Sequence, residues 1–391
     1  MNLNTNFIPF ARPSLGVEEE AAVLRVLRSG WLTTGKEAKD FEMEFAKYIN
    51  SSQALAVNSA TSGLHLALEA LGLKPGDKVI TSPYTFTATA EVIRYLGADP
   101  VFADIDPETF NINPVAVENL LKRDPSIKGI IPIHIGGNPC DMDSLMDIRN
   151  RYNVFLLEDA AHAFPIQHNG KFLGTIGDAG VFSFYATKTI TTGEGGMIVT
   201  NNEDMARRMS VMRLHGIDRE IWNRYTSDKP AWQYSIVEAG FKYNMPDIAA
   251  SIGREQLKKG ALFLKKRKQI AEFYIEKMKD LDFLKLPHNQ KNHAWHLFMP
   301  RIVPGKLTIS RNIFINELIN MGIGISVHYI PLHIMPYYKK KYEYKENDFP
   351  ETMNVYNTVF SLPIYPDLTE DQLNRIVLAV RNTGQRFRKK T

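Results

Sequence analysis

One cysteine, Cys140, among 391 residues excludes an internal disulfide and any cysteine-based metal cluster. No apolar run approaches the ~18 residues that a membrane-crossing helix needs, so no bilayer span is expected. Charge of one sign is also lacking. Forty-seven lysines and arginines stand against 43 aspartates and glutamates, and the net +4 is too balanced to argue for a nucleic-acid or membrane partner. The basic stretch Arg381–Lys390 reads as a solvated chain end. Met1–Phe7 has no charged region followed by an apolar core, so nothing directs secretion and a cytoplasmic location is expected. Repeats and low-complexity segments are absent too. What is there is a composition 44% hydrophobic and 23% charged, that of a soluble globular chain long enough for two domains.

The first 250 residues alternate between strand and helix patterns. Apolar runs at 54–57, 78–81, 100–103, 129–132 and 154–157 predict buried strands. Helical patterns at 61–71, 88–96, 114–121 and 142–151 separate them. That alternation predicts an α/β fold with a mostly parallel sheet covered on both faces. Two more strands, 180–184 and 197–200, are joined by a lysine-bearing segment instead of a helix, which predicts an antiparallel strand. Beyond Pro246 a long, lysine-rich helical pattern runs to about Lys279. A link at 287–293 and a mixed segment at 295–380 then predict a smaller α+β domain. The expected division is a large domain at 1–250 and a small one at 251–391.

In open parallel sheets, ligands bind at the carboxyl ends of the strands, and five chemical groups fall there. Lys188 lies between two buried runs, where loss of water lowers an amine's pKa and makes it nucleophilic. Asp159 follows the strand at 154–157 and suits either a helix N-cap or a cofactor. Small residues from Asn58 to Gly63 open a helix directly after a strand, and exposed N–H groups there suit a phosphate. Phe86 is either core or a stacking platform, and the Ser183 hydroxyl stands five residues before Lys188. A phosphate cradle, an aromatic face, a carboxylate and a lysine at one sheet edge match the needs of pyridoxal 5′-phosphate.

Longer motifs make the resemblance specific. EDAAHAF at 158–164, GDAGVFSFYATKTITTGEGGMIVTNN at 177–202 and GFKYNMPDIAASIGREQL at 240–257 resemble the DegT/DnrJ/EryC1/StrS family. So do SGWLTTGKEAKDFE at 29–42, the stretch 57–106 and VHYIPLH at 327–333, so most of the chain matches in the family's order. These are fold type I, pyridoxal phosphate-dependent aminotransferases of nucleotide-linked keto sugars. The resemblance implies that Lys188 is the Schiff-base lysine and proton carrier, and that Asp159 pairs with the ring nitrogen. It implies Phe86 as the stacking ring, Ala60, Thr61 and Ser183 as phosphate contacts, and His162, where many members have glutamine, as a contact of the phenolic oxygen. Lys242 and Asn244 depart from the family's usual asparagine and arginine at the segment that reaches the neighbouring subunit's phosphate. His328 and Trp31 are expected near the substrate. The implied reaction draws an amino group from glutamate, releases 2-oxoglutarate, and aminates the sugar at position 3 or 4 in a homodimer with shared sites. A sugar dehydratase of the same fold carries histidine in place of the lysine. A non-catalytic regulator would have lost Lys188 or Asp159.

Several motifs are decoys. Gly30–Lys36 spells GxxxxGK, but Glu37 stands where a phosphate-binding loop needs Ser or Thr, and a helix precedes it. Asn50-Ser51-Ser52 is a glycosylation sequon without a secretory route. His328 and His333 are too far from carboxylates to argue for a metal, and His215 and Glu194 are weaker site candidates. Cys140 reads as a small buried residue. The loops 31–36, 217–233 and 326–338 are expected to shape the pocket.

Overall fold

The structure, a computed structural model, describes residues 7–218, 234–288 and 292–389. The expected pocket loop 217–233 therefore lies almost wholly outside the described residues. Two helices, α1 (Val17–Ser29) and α2 (Lys36–Ile49), lead into β1 (Gln53–Val57) and α3 (Ala60–Ala70). Next come β2 (Lys78–Thr81), α4 (Ala88–Tyr95), β3 (Asp99–Phe102), α5 (Pro114–Arg123) and β4 (Ile127–Ile131). After α6 (Met142–Tyr152) and β5 (Phe155–Asp159), a small hairpin, β6 (Gln167–His168) and β7 (Lys171–Phe172), precedes β8 (Ala179–Ser183), β9 (Gly196–Thr200) and α7 (Glu203–Met212).

Seven of these strands form one sheet in the order β1-β9-β8-β5-β4-β2-β3. Helical crossovers make the pairs β2/β3, β2/β4 and β4/β5 parallel, and β5/β8 is parallel as well. β9 runs antiparallel to both its neighbours. The reason is local: β8 and β9 are joined by residues 184–195 without a crossover helix, so the chain can only turn back.

Successive residues of each strand enter opposite cores. Ile130, Leu156, Phe182 and Met197 pack with Phe41 and Phe45 of α2 on one face. Ile131, Leu157, Val181 and Ile198 pack with Leu64 and Leu68 of α3 on the other. Burial on both faces explains why these strands read as continuous apolar runs. Helix α3 comes unusually close to the sheet. A Cβ on Gly63 would stand 2.8 Å from Val181, and one on Gly196 only 2.7 Å from the backbone nitrogen of Ala60. Two glycines therefore press the N-terminus of α3 against the sheet's ligand edge.

The 32-residue helix α8 (Asp247–Met278) joins two cores. Its Ala250, Leu257 and Phe263 belong to the first. Ile270, Tyr274 and Met278 pack with Trp295, Phe298, Phe314 and Phe360 in another. That core is closed by β10 (Leu284–Lys285), β11 (Arg301–Ile302), α9 (Arg311–Asn320) and α12 (Glu370–Arg386), while α10 (Pro336–Tyr342) and α11 (Pro350–Thr358) pack in two smaller clusters through Tyr338 and Val355. One expectation needs correction here: Arg381–Arg386 are not a frayed end but the last turns of α12. Burial of Val380, Thr383 and Gly384 continues the helix, and Arg381 and Arg388 pair with Asp280 and Asp282. Among the described residues no helix is long and apolar enough to cross a membrane.

Candidate active site

A cavity of about 580 Å³ opens where the carboxyl ends of β1, β2, β5 and β8 meet the second core. Ala60, Thr61, Phe86, Asp159, His162, Ser183, Lys188 and His328 all line it, so eight of the sequence-derived candidates converge on one space.

The phosphate end is built by the cap of α3. The first four N–H groups of a helix have no partner inside it. Here Ser59 and Ser62 form a reciprocal capping box, in which Ser62 N–H donates to Ser59 Oγ (3.1 Å) and Ser59 N–H to Ser62 Oγ (3.2 Å). That leaves the N–H groups of Ala60 and Thr61, at the positive end of the helix dipole, for an anion. Ser183, the last residue of β8, adds a hydroxyl to the same cavity.

Asp159 ends β5 at the cavity floor. Its Oδ2 accepts from the Thr89 hydroxyl (2.8 Å) and its Oδ1 from the Ala161 N–H (3.1 Å). Burial raises its pKa above the usual carboxylate range, opposed by those two hydrogen bonds and by Lys188. The preceding residue, Glu158, points the other way. It accepts from the N–H groups of Gly174, Ile176 and Gly177 and contacts His134 Nε2 at 3.1 Å, which locks the strand that carries Asp159.

Lys188 sits in the turn between β8 and β9, where its N–H donates to Tyr185 O (2.9 Å). The turn is tied by Thr191 Oγ1 to Phe184 O (2.9 Å) and by Phe184 N–H to Gly195 O (2.9 Å). Burial lowers the lysine to about 8, with Asp159 across the cavity pulling the other way. The fraction of neutral amine then rises about tenfold per pH unit below about 8 and saturates above it. Covalent capture of pyridoxal phosphate by the apoprotein should accelerate from about pH 6 to about pH 8 and level off. Stopped-flow absorbance checks this, and a rate still climbing tenfold per unit above about pH 9 would mean that the amine is not depressed.

Phe86 is 61% exposed at the cavity wall, so it is not a core residue. Its ring faces Tyr329 at 6.4 Å between centroids. Trp31, Lys242 and Asn244 are not brought into this cavity. They cluster instead beside the end of β1, where Asn244 Nδ2 donates to Thr34 Oγ1 (2.6 Å), Lys242 Nζ donates to Asn244 Oδ1, and Thr34 Oγ1 donates to Met245 O (2.5 Å). Asp247 anchors the cluster by accepting from the N–H groups of Gly35 (2.7 Å), Glu37 (3.2 Å) and Ala38 (3.0 Å). The GxxxxGK segment is thus a helix start whose anion is a distant carboxylate of the same chain.

Four cavity residues were not among the candidates drawn from the sequence: Phe10, Thr89, His296 and Tyr329. Thr89 touches Asp159 from α4, whereas Phe10 and His296 arrive from remote segments. Thr89 and Tyr329 lay within the recognised stretches 57–106 and 327–333, and Phe10 and His296 lay in none. Burial, with Lys188 adding repulsion, lowers His328 to about 4, and it holds His162 and His296 well below their usual range, so all three are neutral. Among the described residues no group of three or more metal-ligating side chains assembles.

The donor set fits pyridoxal phosphate part by part: two helix N–H groups and a hydroxyl for the phosphate, Asp159 for a protonated ring nitrogen, and Lys188 for the aldehyde. Fold and site together define a pyridoxal phosphate-dependent aminotransferase of fold type I. Residues 13–381 match the model of the DegT/DnrJ/EryC1/StrS aminotransferase family, and the chain belongs to it. It is 44% identical to the spore coat polysaccharide biosynthesis protein SpsC of Bacillus subtilis, over 96% of this chain and 97% of SpsC. Among solved structures it resembles Helicobacter pylori PseC, an aminotransferase involved in the biosynthesis of pseudoaminic acid. The TM-score is 0.90 at 28% identity, covering 98% of this chain and all of that one. It also resembles the PLP form of the putative sugar aminotransferase Spr1654 of Streptococcus pneumoniae, with a TM-score of 0.89 at 29% identity over 97% and 99% of the two chains.

Proposed function

We propose that the protein transfers an amino group from glutamate to the 3- or 4-keto group of a nucleotide-linked deoxysugar, for bacterial glycan or polysaccharide assembly. The observation that carries this reading is the cavity's lining. Among the described residues, Lys188 is its one lysine or arginine, and Asp159 and Glu194 are its carboxylates. The remaining wall, including Phe10, His296, Leu297, His328 and Ile364, is apolar or neutral and suits an uncharged sugar ring. The roles of SpsC in spore coat polysaccharide biosynthesis and of PseC in the biosynthesis of pseudoaminic acid support the same substrate class.

The roles follow from placement. Bound pyridoxal phosphate supplies an aldehyde that exchanges between amines and a protonated ring that accepts electrons. Lys188 holds the cofactor and, once released, carries the proton between substrate carbon and cofactor. Asp159 keeps the ring nitrogen protonated. Ala60, Thr61 and Ser183 bind the phosphate, Phe86 stacks on the ring, His162 stands on the side of the cofactor's phenolic oxygen, and His328 lines the substrate side. Exposed Lys242, with Asn244 and Trp31 beside it, serves the partner subunit's site in a cytoplasmic homodimer. Each subunit divides into two domains near residue 250.

Retention of Lys188 weighs against the dehydratase reading, and retention of both Lys188 and Asp159 weighs against a non-catalytic regulator. The test is a panel of nucleotide-linked keto sugars with glutamate, read by mass spectrometry. An amino sugar and 2-oxoglutarate in equal amounts are expected. A dehydrated sugar, or no product from any member of the panel, contradicts the proposal.

A further inference from the structure

His162 is held on three sides. Its Nδ1 accepts the Gly136 N–H (3.3 Å), its Nε2 lies 3.1 Å from the Tyr329 hydroxyl, and the His296 ring packs against it at a tilt of 33° with centroids 4.4 Å apart. The planes of the His162 and Tyr329 rings are within 11° of parallel, with centroids 6.2 Å apart. These contacts settle the direction of the bond. A neutral imidazole has one N–H, and an Nδ1–H would face the Gly136 N–H donor head-on, so the ring proton sits on Nε2. His162 therefore donates to Tyr329 and has no second donor for a ligand. The Tyr329 oxygen accepts, and its own O–H is left to point elsewhere. Tyr329 lines the cavity, and burial, with Asp159 and Tyr84 nearby, pushes its hydroxyl up and keeps it protonated.

We propose that Tyr329 donates a hydrogen bond to an oxygen of the cofactor–substrate pair, and that His162 is the positioning residue that aims its hydroxyl. The acceptor is a phenolate or carbonyl oxygen, from either the cofactor ring or the keto sugar. The sugar alternative rests on the proposed function; the cofactor alternative does not. A glutamine at position 162 has two amide protons and a carbonyl, so it could serve Tyr329 and a ligand together. Histidine cannot, and the ligand contact passes to the tyrosine.

The test uses purified holoprotein and three variants: Tyr329→Phe, His162→Gln and His162→Phe. Tyr329→Phe should shift the visible absorbance maximum if the acceptor is on the cofactor. If the acceptor is on the sugar, the maximum stays and the sugar half-reaction slows about tenfold relative to the glutamate half-reaction, the usual weight of one hydrogen bond. His162→Phe should reproduce whichever change appears, and His162→Gln, which retains both an acceptor for Gly136 and a donor for Tyr329, should restore wild-type behaviour. Neither change in Tyr329→Phe, or a wild-type-like His162→Phe, overturns the proposal. Thermal melts show which variants fold. Should His162→Phe fail to fold, nitrogen NMR of histidine-labelled protein decides: the resonance lost in His162→Gln must report an Nε2–H tautomer, and an Nδ1–H tautomer or an imidazolium overturns the assignment. If wild-type protein aminates no sugar, the proposed function falls while absorbance and tautomer still decide the role of Tyr329.

Discussion

Replacing Lys188 with alanine is expected to lower turnover by about 10⁴-fold or more, because one side chain supplies both the nucleophile and the proton carrier. The turn that carries it is tied by backbone and threonine hydrogen bonds that do not involve its amine, so the fold should survive. The variant should keep the phosphate contacts at Ala60, Thr61 and Ser183, and so still bind pyridoxal phosphate, but without the visible band of a lysine-linked cofactor. Absorbance, cofactor content and single-turnover rates check this together. Wild-type-like turnover in Lys188→Ala would end the assignment of the lysine. An unfolded variant would instead show that the turn depends on its amine.

Asp159→Asn is expected to separate stability from activity. The substitution preserves shape and an acceptor for the Ala161 N–H, but removes the charge that a protonated ring nitrogen requires. Losing one such preorganised electrostatic partner costs about 10²–10³ in turnover. The apoprotein should respond in the opposite sense. Burial raises the folded-state pKa of Asp159 above its unfolded value. The folded chain therefore binds more protons in that window, and stability falls as pH rises through it. At neutral pH the ionised carboxylate costs stability, so the apo variant should melt at the wild-type temperature or above, while holoenzyme activity collapses. Calorimetric melts of apoprotein at about pH 5 and about pH 7 test the sign. A variant that loses activity and melts well below wild type would place Asp159 as a structural cap.

Much of the site was legible in the sequence because its parts lie at strand ends, and strand ends are marked by local chemistry. Ser59 announces the start of α3, Asp159 closes an apolar run, and Ser183 and Lys188 bracket a turn. Each of those signals spans a few residues. Phe86 remained ambiguous because an aromatic after a strand serves a core or a ligand equally well, and its exposure excludes only the core. The tail at 381–390 was misread for a similar reason: local basicity says nothing about the burial of Val380 and Thr383 that extends the helix.

His296 and Phe10 were out of reach for a different reason. Their cavity wall is made by segments nearly 300 residues apart in sequence, brought together by the shared core of Ile8, Trp295, Phe298 and Leu362. No local pattern encodes that meeting.

By itself the sequence indicated the chemistry: a lysine between two buried runs, a strand-end carboxylate and a helix start suited to phosphate, which are properties of short segments and their periodicity. It also determined the sheet's one reversal, since a short link cannot cross over. The tertiary structure decided which polar groups were left over. Only folding shows that a serine capping box consumes two helix donors and leaves Ala60 and Thr61, that Asp247 occupies the GxxxxGK turn, and that Gly136 fixes the proton of His162. Hydrogen-bond satisfaction is a property of the assembled chain, and here it settles what each side chain has left to offer a ligand.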